Sequence, residues 1–146
     1  MTVTQSRSAF WSSRSARIYT WIAFGSILGG LARDGVTLSV GATAGAFPWA
    51  TLLVNATGSL IIGFYAALTG ADGRLMARLE HRQFVMTGFC GGYTTFSTFS
   101  LETFQLLHAG MKITALAYIL ASVVCWLVSV WFGHMLAGRY NRTRRS

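Results

Sequence analysis

Charge is scarce in this chain. Charged side chains make up only 11% of its 146 residues, and just four of them are acidic. A soluble globular domain carries about 25% charged residues, so this composition argues against one. Hydrophobic residues reach 53%, there is a single proline, and only nine of the 120 residues from Ile18 to Ala137 are charged. This uniform apolar stretch leaves room for one domain and not for two.

Groups that bind metals or perform catalysis are equally few. The two cysteines, Cys90 and Cys125, both lie inside apolar runs and have no metal-binding spacing. We expect two free, buried thiols, with a disulfide between them as the lesser alternative. The three histidines stand near segment ends, and none belongs to a recognisable nucleophile–base pair. An enzyme is therefore not predicted.

The positive charge is unevenly distributed. The chain has twelve Lys and Arg residues, eleven of them Arg. Ten lie in the two tails and in the polar connection 70–82, and the other two are Arg33 and Lys112. Basic residues that flank apolar segments are typical of the cytoplasmic side of a membrane protein. They form no stripe of the kind that binds nucleic acid, so no nucleic-acid partner is predicted.

Four apolar segments organise the chain, at about residues 18–40, 48–69, 83–108 and 112–137. Each is long enough to span roughly 30 Å of hydrocarbon, which predicts an all-α membrane protein with four transmembrane helices. Residues 1–17 form a polar tail, expected to be disordered or interfacial, and 138–146 form a basic, solvated tail. A signal peptide is the alternative for the first segment, but its apolar stretch ends too early for the nearest cleavage site.

The connections between segments predict the arrangement in the membrane. The short turn at Gly110 makes the last two segments antiparallel neighbours. Four spans place both tails and the 70–82 connection on one side, and the excess of Arg predicts that this side is the cytoplasm.

The third segment carries an unusual polar run between Gly91 and Ser100. Five hydroxyls fall within seven residues: Thr94, Thr95, Ser97, Thr98 and Ser100. Back-bonding to the carbonyl four residues earlier does not explain so many. Gly91-Gly92 weakens the helix, so a break is predicted there, lining a wet cavity. Carbonyls at such a break suit a cation such as Na⁺, and N–H groups suit an anion. Close packing through Gly88-x-x-x-Gly92 explains the glycines equally well.

Five further residues are candidates for an ion pathway. Phe96 and Phe99 share a helix face, and aromatic ring edges are positive, although core packing is the usual role of such a pair. Asn55 has a buried amide that must be satisfied by an ion or by an interhelical hydrogen bond. Arg33 and Glu102 are charges at or near membrane depth. Arg33 can instead snorkel to the interface, and Glu102 can sit at a vestibule or pair with a basic group.

Residues 88–100, followed by Glu102, resemble the signature of the Fluc (CrcB) fluoride channels. Residues 29–33 and 48–55 resemble the motifs of that family's first and second helices, and the resemblance covers nearly all of 18–137. It implies an antiparallel, dual-topology homodimer of four-helix subunits in the cytoplasmic membrane. It also implies two fluoride pores in each dimer and a structural Na⁺ at the centre.

The resemblance implies roles for individual residues. The backbone carbonyls of Gly91 and Thr94, from both subunits, would hold Na⁺. The pore would be lined by Asn55, Phe96, Phe99, Ser97, Ser100, Thr51, Tyr118 and Ser122. Arg33 and Glu102 would be vestibule charges. One turn beyond Ser122, Trp126 stands where a small polar residue would extend the polar track of the fourth segment.

The function implied is passive export of fluoride, which lowers its concentration inside the cell. Two other classes remain open. A small multidrug or cation exporter would need a carboxylate in the first segment, which has none before Asp34. A non-transporting membrane subunit would not need the clustered hydroxyls. Ten Lys and Arg residues lie on the side of the two tails and two on the opposite side, which favours one orientation of the chain in the membrane. The inverted partner would then be a minority copy of this chain or a paralogue of opposite bias.

Overall fold

The structure is a computed structural model, and it describes residues 4–41, 47–70, 73 and 75–142, with side chains from residue 13 onward. Over these residues the chain is helical and contains no strand. The extreme ends of both predicted tails, and parts of the first two connections, lie outside the described residues.

Helices occupy all four predicted segments. The first two segments are α1 (Thr4–Val40) and α2 (Trp49–Leu68). The third divides into α3, residues 79–93, and α4 (Phe96–His108). Within α3, α-helix at Leu79–Gln83 and Gly91–Tyr93 flanks a π-helical stretch at Phe84–Cys90. The fourth segment is α5 (Lys112–Arg142).

Helix boundaries differ from those predicted. Residues 4–17 continue α1 toward the N-terminus, so of the two expectations for this tail the disordered one is wrong for this stretch, and the interfacial one stays a prediction. Likewise α5 runs past Ala137 to Arg142, and α3 begins at Leu79 rather than near residue 83. The physical reason is cooperativity. Once a helix is nucleated, each added residue contributes a hydrogen bond, and residues 4–17 hold no glycine or proline to stop it.

Two helices, Trp49–Leu68 and Lys112–Arg142, are long and apolar enough to cross a membrane by length and composition. The other two segments do not meet that measure over the described residues. In α1 the uncharged stretch lies between Arg17 and Arg33 and is short, and the third segment is divided into shorter helices.

Glycines let the helices pack closely in two pairs. Where α1 meets α3, a Cβ on Gly29 would overlap the Phe89 carbonyl oxygen, and one on Gly88 would lie 2.8 Å from the Ile22 carbonyl oxygen. Where α2 meets α5, a Cβ on Gly133 would overlap the Leu60 carbonyl oxygen. Small residues at such contacts let backbones approach one another directly.

The turn between α4 and α5 contains Gly110, whose φ of +76° is a left-handed conformation that glycine adopts without strain. As predicted, α4 and α5 pack against each other as antiparallel neighbours.

At the other end of the bundle, α3 is tied to α1 by a salt bridge of 2.8 Å between Arg17 and Glu80. Hydrogen bonding to its own backbone, and then the charge of Arg17, hold the pKa of the Glu80 carboxyl below its usual value. The Trp21 ring meets those of His81 and Phe84 edge to face, at 5.6 and 5.7 Å. These contacts fix where the third segment begins.

Candidate ion pathway

The third segment is interrupted at Thr94 and Thr95. Their backbones are extended, with φ −78°, ψ 156° at Thr94 and φ −145°, ψ 122° at Thr95. Gly91 is helical, at φ −66° and ψ −34°, so the predicted position of the break at Gly91-Gly92 is wrong. Gly92 instead packs against α1, where a Cβ would overlap the Ser26 carbonyl oxygen. Gly88-x-x-x-Gly92 is therefore a packing motif, which was the alternative interpretation of these glycines.

Asn55 and Thr95 hold the interruption in place. The Asn55 amide donates to the Thr95 carbonyl at 2.9 Å, and its oxygen accepts from the Thr95 N–H at 2.8 Å; both bonds are buried. The interhelical hydrogen bond considered for Asn55 is thus present. Thr95 also caps α4, because its hydroxyl accepts from the Thr98 N–H at 3.1 Å. Sequence reasoning missed this role of Thr95, although a threonine three residues before the N–H it caps is a recognisable signal.

The interruption diverts two N–H groups from helical bonding. In an unbroken helix the Thr95 and Thr98 N–H groups would bond the carbonyls of Gly91 and Thr94. They bond the Asn55 side chain and the Thr95 hydroxyl instead. These are the two carbonyls that the resemblance assigned to Na⁺, and carbonyl oxygens suit a hard cation. Hard cations usually take about six or more oxygen ligands, so one chain supplies only part of such a set.

Over the described residues there is no group of three or more His, Cys, Asp or Glu side chains that could bind a metal. Both Cys90 and Cys125 are free thiols, as predicted, but only Cys90 is buried, and Cys125 is half-buried.

Thr95 lies between two spaces. On one side is an open groove of about 320 Å³, whose lining includes Asn55, Met86, Cys90, Gly91, Thr94, Phe96 and Trp126. On the other is a polar cavity of about 210 Å³, whose lining includes Arg33, Asp34, Thr37, Thr51, Thr98 and Glu102. Thr95 lines both spaces, so the groove and the cavity meet the interruption from its two sides.

The two phenylalanines contact each other but differ in exposure. Their ring centroids are 5.6 Å apart, as expected for residues on one face. Phe96 is 70% exposed and lines the groove, whereas Phe99 is only 8% exposed. The Phe99 ring packs at 5.1 Å from Tyr118 and at 5.0 Å from Trp126. Core packing thus describes Phe99 in this structure, and Phe96 alone of the pair lines the groove.

Glu102 joins three helices. Its carboxylate accepts from the Thr51 hydroxyl at 2.9 Å and from the Tyr118 hydroxyl at 2.7 Å. The basic partner considered for Glu102 is absent from the described residues, whose ion pairs do not include it. Arg33 lines the same polar cavity but donates to the Gly92 carbonyl at 3.2 Å and to Asp34 at 3.4 Å.

The remaining predicted pore hydroxyls lie in different surroundings. Ser97 and Ser100 are exposed on α4; Ser97 lies 3.2 Å from the Thr95 hydroxyl, and Ser100 donates back to the Phe96 carbonyl at 2.9 Å. Ser122 on α5 is fully buried. The structure therefore brings Thr51 and Tyr118 together at Glu102, whereas Ser97 and Ser100 are exposed and Ser122 is buried.

Comparison with known proteins points to one family. The model of the family described as CrcB-like protein, camphor resistance (CrcB), matches residues 20–134. The chain is 68% identical over 133 residues to a fluoride-specific ion channel, FluC 1, of Bradyrhizobium diazoefficiens, covering 91% of this chain and 93% of that protein.

Two further relatives agree with this assignment. One is a FluC 1 of Rhodopseudomonas palustris, 57% identical over 88% of this chain and 92% of that protein. The other is a FluC of Methylocella silvestris, 50% identical over 86% of this chain and 97% of that protein. Both matches span almost the whole of each chain, and the family model covers every pathway residue discussed above. The chain therefore belongs to the CrcB family.

Proposed function

We propose that this chain is the subunit of a fluoride-specific ion channel, through which F⁻ leaves the cell passively across the cytoplasmic membrane. The observation that carries the proposal is similarity: relatives at 50 to 68% identity over most of both chains bear that name. Passive conduction requires no chemistry on the ion, so the protein is not an enzyme. In acid surroundings fluoride enters a cell as HF, which dissociates in the less acid cytoplasm and is trapped there as F⁻, and a channel lets it leave down its gradient.

The proposed route follows the interruption in the third segment. It enters the groove at Asn55 and Phe96, passes Thr95, and reaches the polar cavity at Thr51. Fluoride holds its hydration shell strongly, and hydroxyls, an amide and positive ring edges can replace part of it. Phe99, Ser97, Ser100, Tyr118 and Ser122 are proposed to flank this route. Arg33 and Glu102 are proposed as vestibule charges, with Glu102 held by its two hydroxyl donors.

We also propose a structural Na⁺ bound by the carbonyls of Gly91 and Thr94. Support comes from the diverted N–H groups of Thr95 and Thr98, which no longer bond those carbonyls. Since one chain offers only part of a cation's ligand set, a second copy would supply the rest. Bound there, Na⁺ would neutralise the carbonyl dipoles and join the two copies. The groove beside Gly91 and the exposed Phe96 ring are the surface that such a copy would cover.

The partner is proposed to be an antiparallel copy, or a paralogue inserted the other way. Arg is concentrated on the side of the two tails, so we expect this chain to insert mainly with its termini inside. A test places one cysteine at exposed Ser13, in a variant lacking both native thiols, and labels intact cells with an impermeant thiol reagent. Most copies should be protected. Equal labelling from the two sides would contradict a preferred orientation and would favour a dual-topology homodimer.

The function itself is tested by fluoride efflux from proteoliposomes, with chloride as the control ion. We expect the purified protein to release fluoride and to retain chloride. Absence of fluoride flux from folded protein would contradict the channel. Flux of a cationic drug coupled to protons would favour the exporter, and absence of any flux would favour the non-transporting subunit.

The role of Phe96 is tested by Phe96→Ile, which keeps the side chain apolar but removes the ring edge. We expect fluoride efflux to fall at least about tenfold, because an aromatic edge offered to an anion is lost. Phe104→Ile is the matched control, since Phe104 is an exposed ring on the same helix, outside the groove lining. Equal fluoride flux in the two variants would show that Phe96 has no role in the pathway.

A further inference from the structure

The polar cavity carries more negative than positive charge. Among the described residues that line it, the charged side chains are Arg33, Asp34 and Glu102, which set one guanidinium against two carboxylates. At about 210 Å³ the cavity has room for a small anion together with some of its water. A confined space with this balance of charge repels anions, so its acidic residues require an explanation on a route proposed for fluoride.

The guanidinium of Arg33 is held from two directions. Its Nη1 donates to the Gly92 carbonyl at 3.2 Å, which ties it to the end of α3. Its Nε donates to the Asp34 carboxylate at 3.4 Å. Of these two partners only Asp34 carries the same charge as a permeating anion. An anion that approaches the guanidinium is therefore repelled by Asp34 and competes with it for the same positive charge.

The Arg33–Asp34 pair is open to solvent. The Asp34 side chain is 66% exposed and that of Arg33 33% exposed. Such a pair is weak, because water screens the charges and holding the two side chains together costs entropy. Asp34 can therefore yield the guanidinium to an incoming ion and recover it afterwards. Glu102 is held differently, since its carboxylate accepts from the hydroxyls of Thr51 and Tyr118 at 2.9 and 2.7 Å.

We propose that Asp34 competes with the permeating anion for the guanidinium of Arg33 and so keeps that charge from holding the anion too tightly. The inference rests on the proposed function and adds to it a residue that sets how strongly the polar cavity binds an anion. A guanidinium without a carboxylate beside it holds a small anion strongly, whereas conduction requires that a bound ion leave again. Asp34 supplies a like charge next to the bound ion and restores the ion pair once the ion has left.

Asp34→Asn tests the competition, because it removes the charge and keeps an acceptor oxygen for Arg33. We expect the fluoride concentration at half-maximal efflux to fall about two- to fivefold, as for the loss of one exposed ion pair. The maximal rate should stay the same or fall, because an ion held more tightly leaves more slowly. Raising an impermeant salt from about 0.01 M to about 1 M should shrink the difference from the wild type, since the screening length falls from about 30 Å to about 3 Å.

Two further substitutions show whether the charge acts through Arg33. Glu80→Gln is the matched control: it removes a carboxylate from the ion pair with Arg17 at the other end of the bundle, outside the cavity lining, so the half-maximal concentration should match the wild type. In an Arg33→Gln background, Asp34→Asn should have a much smaller effect. An equally large effect without Arg33, the same effect in E80Q, or an unchanged or raised half-maximal concentration in D34N would each overturn the competition.

A second measurement does not depend on conduction. In the full-length protein with nitrogen-15-labelled arginine, sodium fluoride should shift the Arg33 Nε resonance, which is assigned by its absence from R33Q. The midpoint of this titration should lie at a lower fluoride concentration in D34N than in the wild type. Equal midpoints would overturn the competition. A lowered midpoint in D34N, together with no fluoride flux through the wild type, would support the competition and overturn the proposed function.

Discussion

Gly29→Ala is expected to prevent stable folding of the helix bundle. Gly29 lies where α1 contacts α3, and a Cβ there would overlap the Phe89 carbonyl oxygen and lie 2.7 Å from the Tyr93 nitrogen. Both atoms belong to the backbone of a packed helix, so no side chain can rotate away to relieve the overlap. The helices must separate, at a cost of about 3 kcal/mol or more. The measurement is the fraction of protein that elutes as folded from size-exclusion chromatography after heating in detergent.

Gly30→Ala is the matched control for this substitution. It introduces the same methyl group one residue along the same helix, at a position with nothing within 4 Å. Alanine favours a helix over glycine by about 1 kcal/mol, so this variant should be as stable as the wild type or more so. Equal stability of the two variants would show that the close approach of α1 and α3 is not needed for folding.

Asn55→Ala is expected to collapse the interruption between α3 and α4. It removes both partners of Thr95, leaving a buried N–H and a buried carbonyl unsatisfied. Each unsatisfied group costs about 1–3 kcal/mol, so the free energy of unfolding should fall by about 2–6 kcal/mol. Fluoride efflux should be lost too, because Thr95 lines both spaces of the proposed route. Thermal unfolding and efflux measured on the same preparation test both expectations.

Asn55→Asp separates the two hydrogen bonds. A carboxylate still accepts from the Thr95 N–H, but it turns a second oxygen toward the Thr95 carbonyl and buries a charge. We expect it to be at least as harmful as the alanine variant. Asn141→Ala is the control, because Asn141 makes a single 3.2 Å bond to Ala67 at the far end of α2, and its amide oxygen has no partner among the described residues. Normal stability in both Asn55 variants would show that Asn55 is not needed to hold the interruption in place.

The four segments and the polar run were predictable because their signals are local. A long apolar stretch identifies a helix wherever it packs, and Gly110 marks a turn by its own backbone preference. Back-bonding accounts for two hydroxyls of the cluster, those of Thr94 and Ser100, whereas the hydroxyls of Thr95, Ser97 and Thr98 bond one another instead. Helix ends were predicted less well, since α1 extends through a polar stretch whose composition suggested a tail. A helix extends from a neighbouring turn that is already formed, and the composition of a polar stretch does not show whether such a turn adjoins it.

The position of the interruption could not be predicted in the same way. Glycine propensity favoured a break at Gly91-Gly92, but Gly92 stays helical because it packs against the Ser26 backbone of α1. The break falls where Asn55, forty residues earlier, offers the Thr95 backbone a donor and an acceptor. Propensity describes a residue in isolation, and here a contact between distant segments outweighs it.

The sequence by itself determined that this chain is helical and apolar, that its third segment is polar at its centre, and which residues carry that polarity. Composition and spacing are enough to predict these features, because burying a polar group costs free energy whatever the fold. Only the tertiary structure decided which partner each polar group takes: Asn55 binds Thr95, Glu102 binds two hydroxyls, and Phe99 is buried while Phe96 lines the groove. Hydrogen bonds and burial depend on distances of a few ångströms between segments far apart in the chain, and those distances exist only once the helices have packed.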